Sequence, residues 1–98
     1  MDGYMICIEL PEKPDDEFFR IIPHQRAYIN RMMRKGIISL YSLSYDRTRL
    51  WVIVHANSLM EVKHIMGSFP MFNYMKFKIN SLLFHETSDA VAPQFWLN

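Results

Sequence analysis

Glu9 is the one charged side chain in the run Tyr4-Met5-Ile6-Cys7-Ile8-Glu9-Leu10. A carboxylate buried among apolar residues has its pKa raised and is suited to act as a general base. His24 follows a proline, and an imidazole can both donate and accept a proton, so it is the second candidate for moving one. Arg26 and Arg47 can each grip a carboxylate with a guanidinium fork. Ser39 and Tyr41 lie two apart in an alternating stretch, Ile37 to Tyr45, and are candidate hydrogen-bond donors to a bound substrate. Trp51, Phe72 and Tyr74 are candidate walls of the same pocket. His55 and His85 stand at strand ends and read as structural histidines.

Metal and redox chemistry find little footing. No two histidines sit at i, i+4 beside a carboxylate, which predicts no metal site. Cys7 is the lone cysteine, so no intrachain disulfide forms, and it reads as a small apolar strand residue. No cofactor is expected. The formal charge is +1, with no basic run, which argues against nucleic acid. No apolar run approaches the roughly 20 residues that span a membrane. No signal-peptide pattern follows Met1, so a cytoplasmic protein is expected.

The elements that must hold these residues can be read in order. Tyr4 to Leu10 is a strand, apolar on both faces, stopped by Pro11 and Pro14. Pro14-Asp15-Asp16-Glu17 opens a helix, its acids facing the positive end of the helix dipole. The helix should run to Lys35 and stop at Gly36, with Phe18, Ile22, Ile29 and Met33 on one face. Pro23 removes a backbone bond to residue 19, so a kink or a break is expected, and it can aim His24, Gln25 and Arg26 into a pocket.

Ile37 to Tyr45 and Arg49 to His55 form a hairpin about Asp46-Arg47-Thr48. Strict alternation puts Ser39 and Tyr41 on one face. Asn57 or Ser58 caps a second helix, with Glu61 three residues after Ser58 as in a capping box, and its stripe is Leu59, Val62, Ile65, Met66 and Phe69. The segment Phe69-Pro70-Met71-Phe72-Asn73-Tyr74-Met75 is too apolar for an ordinary surface loop. It should pack on the core, a partner or a ligand. Lys76 to His85 is the last strand.

The order is β-α-β-β-α-β, an α+β, ferredoxin-like plan with a four-stranded antiparallel sheet and both helices on one face. Strands apolar on both sides leave the other face uncovered. Sheet-on-sheet pairing of two copies covers it, which predicts a dimeric α/β barrel and a homo-oligomer. Residues 1–88 are expected to form the domain. Residues 89–98 are a tail that docks through Phe95-Trp96-Leu97 on its own or a neighbouring subunit.

The segment 69–75, leading to a strand closed by His85, resembles the muconolactone isomerase family. Glu9, Gly36 and Arg47 also fit that family's layout. The resemblance spans residues 4 to about 88. It implies a ferredoxin-like subunit that pairs through its sheets. It also implies cofactor-independent movement of a double bond in a small anionic lactone, as in aromatic-compound degradation. The stretch Ile37 to Ser44 carries no charge. That keeps a second reading open: a non-catalytic oligomeric module that binds a small ligand or a partner.

Overall fold

The computed structural model describes residues 2–86. The expected tail, with Phe95-Trp96-Leu97, lies outside them. The elements run β1 (Asp2–Glu9), α1 (Asp16–Arg34), β2 (Ile38–Leu43), β3 (Arg49–Ala56), α2 (Leu59–Gly67), a 3₁₀ turn (Phe72–Tyr74) and β4 (Lys76–Ser81). The sheet is antiparallel throughout, in the order β2-β3-β1-β4. This is the ferredoxin-like plan the alternation predicts. The sheet is shorter than the sequence suggests at two places: β2 stops at Leu43 and β4 at Ser81, so His85 lies beyond its strand.

One face of the sheet carries Tyr4, Ile6 and Ile8 of β1, Leu50, Val52, Val54 and Ala56 of β3, and Ile38 of β2. All are buried against the helices in a single core. Burying each of the Ile, Leu and Val side chains stabilises the fold by about 1.5–3 kcal/mol, before the entropy cost of ordering them. The opposite face presents Met5, Cys7, Leu40, Trp51 and Ile53, bordered by Glu9, Arg49, Lys76 and Lys78. No helix or strand among the described residues lies over it, although Ile53 within it is 1% exposed.

The ends of α1 follow from local chemistry. Asp15 caps it, its carboxylate accepting from the Phe18 backbone N–H at 2.8 Å. Gly36 ends it at φ 74°, where the Gly36 and Ile37 N–H groups donate to the carbonyls of Met33 and Met32. Pro23 does not break the helix, which continues through it as one element. The buried stripe is also rotated from the expected one. It comprises Phe18, Gln25, Tyr28, Ile29 and Met32, while Met33 is 41% exposed. Gln25 occupies a position where the periodicity calls for an apolar residue.

Ser58 caps α2 by accepting from the Glu61 N–H at 3.1 Å. Val62, Ile65 and Met66 are its buried residues, and Leu59 is exposed. The apolar turn after α2 packs on the protein's own core. Phe69, Met71 and Met75 are buried, and Phe69 stacks edge-on to Tyr28. Phe72 remains 38% exposed and leans on Phe77. Tyr74 packs edge-on against Phe18 and donates to Asp15, the cap of α1.

Candidate active site

Gln25 is the one polar side chain buried among the described residues, at 3% exposure. It joins three elements. Its Oε1 accepts from the Met71 backbone N–H at 3.1 Å, and its Nε2 donates to the Tyr41 hydroxyl at 3.3 Å. The backbone N–H can only donate, so it fixes which end of the amide faces the 3₁₀ turn. The nitrogen must then face Tyr41. The Tyr41 oxygen is therefore an acceptor toward Gln25, and its own hydroxyl hydrogen points to no acceptor among the described residues.

Tyr41 is half-buried on the helix side of the sheet, packed against the core. Burial pushes its phenol above the ordinary value, against the opposing pull of the Gln25 amide and the Arg26 charge. The group stays protonated across the neutral range and remains a donor. Arg26 is exposed at the same junction, close enough for its charge to act on the phenol. A donor in a partly dry site beside a cation is suited to hold a carbonyl oxygen that gains negative charge.

The other predicted residues are dispersed. His24 is exposed on α1. Arg47 is exposed in the β2–β3 turn, with φ 66°. Trp51 is 38% exposed on the uncovered face of the sheet. Phe72 and Tyr74 sit in the 3₁₀ turn, where Tyr74 is pinned by Asp15. Glu9 is not buried. It is 56% exposed at the end of β1, on the uncovered face, and pairs with Arg49 at 3.2 Å. Within one chain the condition for a desolvated general base is not met at Glu9.

Ser39 and Tyr41 do not share a face. The β2–β3 register shifts between Ile38 and Leu40. The bulge keeps Ile38 and Tyr41 on the helix side, opposite Val54 and Val52, and turns Ser39 to the uncovered side. There the Ser39 hydroxyl lies 2.8 Å from His55 Nε2. The sequence placed Gln25 with His24 and Arg26 as residues that Pro23 could aim into a pocket; of the three only Gln25 is buried. The signal that isolates it is its place at the i+3/i+4 spacing between Phe18, Ile22 and Ile29.

A family model described as muconolactone delta-isomerase matches residues 5–88. No curated protein matches in sequence. Among solved structures, the crystal structure of muconolactone isomerase is similar with a TM-score of 0.70 and 16% identity, covering 89% of this chain and 94% of that one. A 5-chloro-2-hydroxyhydroquinone dehydrochlorinase from Burkholderia phenoliruptrix, in complex with 2,5-dihydroxybenzoquinone, is similar with a TM-score of 0.55 and 16% identity. It covers 84% of this chain and 95% of that one. At such identities the two structures speak to the fold alone.

Proposed function

The chain belongs to the muconolactone delta-isomerase family, and from that premise we propose that it is a cofactor-independent isomerase of a small anionic unsaturated lactone or carbonyl compound. The reaction is a double-bond shift. A proton leaves the carbon beside the carbonyl, the electron pair delocalises onto the carbonyl oxygen, and a proton returns at the far end of the conjugated system. Tyr41 donates to that oxygen as charge develops, Arg26 holds the substrate carboxylate, and proton transfer is assigned to His24, exposed on α1 one residue before Gln25. The observation that carries this reading is the Gln25–Tyr41 contact, in which the phenol accepts, so that its own hydrogen is not used on Gln25. Glu9 lies on the opposite face of the sheet and has no part in it.

The test is incubation with muconolactone, following the double-bond shift by absorbance. Turnover is expected, with Tyr41→Phe lowering kcat by about 10²-fold, the scale of losing one oxyanion donor. Glu9→Gln should leave turnover unchanged. Absence of turnover by the unmodified protein sinks the lactone reading.

A second reading is a non-catalytic, oligomeric ligand-binding or interaction module. The exposure of Glu9, His24, Arg26 and Arg47 favours it. Saturable quenching of tryptophan fluorescence by muconolactone without any turnover would select it.

A further inference from the structure

We propose that His55 and His85 form an acid-sensitive contact within the sheet face that a second copy of the chain covers, so that the assembly holds at neutral pH and loosens when the two imidazoles take up protons. Pairing of two sheets through Met5, Leu40, Trp51 and Ile53 buries these rings along with the apolar patch. His55 stands two residues along β3 from Ile53 and so points to the same side. It is paired opposite Gly3, whose missing side chain leaves the ring room: a Cβ there would stand 3.7 Å from His55 Cε1. The His85 ring centroid lies 6.1 Å from that of His55.

The two rings differ in what their nitrogens meet. His55 Nε2 lies 2.8 Å from the Ser39 hydroxyl. His85 Nε2 is buried and has no hydrogen-bond partner among the described residues. A neutral imidazole can leave its hydrogen-free nitrogen in such a place. A protonated ring carries a hydrogen on both nitrogens, and one of them then lacks an acceptor.

Little nearby offsets the added charge. β1 contributes Asp2 and Gly3, β2 contributes Ser39, and the segment after β4 contributes Leu82, Leu83 and Phe84. Asp2 and Glu86, the neighbour of His85, are exposed, and neither forms an ion pair with a ring among the described residues. In a single chain, solvent still borders the half-buried imidazoles. A second copy removes that solvent and brings another pair of rings, so charging them costs more in the assembled form than in the separate chains. The assembled form therefore binds fewer protons, and falling pH drives it apart.

Sedimentation velocity between about pH 8 and about pH 5, the interval in which unperturbed imidazoles titrate, tests the contact. The dissociation constant should rise about 10²-fold, equivalent to one proton taken up per dimer over two pH units. His55→Gln/His85→Gln should keep it nearly level, and His64→Gln, exposed on α2, should behave as the unmodified protein does. A constant indifferent to pH, an equal rise in the double variant, or a monomer at every pH overturns the contact. A second measurement needs no variant: in ¹³Cε1-histidine NMR of the unmodified protein, two of the four histidine signals should keep the neutral-imidazole shift until the assembly is lost. Four signals moving together ahead of dissociation would overturn it as well. Neither measurement depends on turnover.

Discussion

Gln25 Nε2 donates to the Tyr41 hydroxyl at 3.3 Å across sixteen residues of sequence, while its Oε1 accepts from Met71. One amide thereby ties α1 to the edge strand and to the 3₁₀ turn. Gln25→Leu keeps the volume but removes both bonds. The Met71 N–H is then left buried without a partner, which costs about 1–3 kcal/mol. A lower urea midpoint at unchanged slope is expected. The Tyr41 phenol should also titrate at higher pH, because the Gln25 donor favours the ionised form. Titration of ¹³Cζ-labelled tyrosine by NMR reads this directly. An unshifted Tyr41 signal would show that Gln25 does not donate to it.

The alkaline limb of stability is the second consequence. Burial raises the phenols of both Tyr41 and Tyr28, the latter donating to the Ile65 carbonyl at 3.0 Å. A folded-state pKa above the unfolded one favours the protonated form in the fold. The stability it contributes is complete below the unfolded phenol value and is lost as pH rises through the folded one. Urea midpoints should therefore fall as pH climbs past the ordinary phenol range. The double variant Tyr28→Phe/Tyr41→Phe should fall less steeply over that interval. Equal slopes for the two proteins would assign the loss to other groups.

Most of the frame was legible in the sequence because its signals are local. Alternation in Tyr4–Leu10 and Arg49–His55, the Ser58/Glu61 box, and the acids before Phe18 each dictate structure within a few residues. Two features escaped because they depend on pairing across strands or helices. The β2 bulge is a relation between Ile38–Leu40 and β3, and strict alternation inside β2 cannot reveal it. Gln25 could not be told from His24 and Arg26 in the sequence, because its partners, the 3₁₀ turn and Tyr41, come from elsewhere in the chain. Glu9 failed as a buried base for the same kind of reason. Its place at the end of β1, across from Arg49, is set by the register with β3 and not by its apolar neighbours in sequence.

The uncovered sheet face calls for a second copy of the chain. Met5, Leu40 and Trp51 lie on it at intermediate or greater exposure around the buried Ile53. A contiguous apolar surface of this kind is unusual in a monomer. Light scattering at micromolar concentration should return a dimer or a multiple of it. Trp51→Glu puts a charge at the centre of the patch, and should lower the assembled fraction without changing the far-ultraviolet circular dichroism. A monomer for the unmodified protein, or an assembly indifferent to Trp51→Glu, would refute sheet-to-sheet pairing.

Among the described residues, two hold left-handed backbone, and they predict effects of opposite sign. Gly36 has φ 74° and Arg47 has φ 66°. An alanine Cβ at Gly36 would meet nothing within 4 Å, so Gly36→Ala isolates the backbone term. It should cost about 1–2 kcal/mol, the penalty of that conformation for a residue with a side chain. At Arg47 the strain is already present in a non-glycine residue, and Arg47→Gly should relieve it. The gain is reduced by the greater entropy of glycine in the unfolded chain, which leaves a net stabilisation of a few tenths of a kcal/mol, up to about 1. Chemical denaturation of both variants measures the pair. Turnover assayed on Arg47→Gly then separates a turn residue from a substrate-binding one: unchanged KM with raised stability assigns Arg47 to the turn, and a raised KM assigns its guanidinium to the substrate.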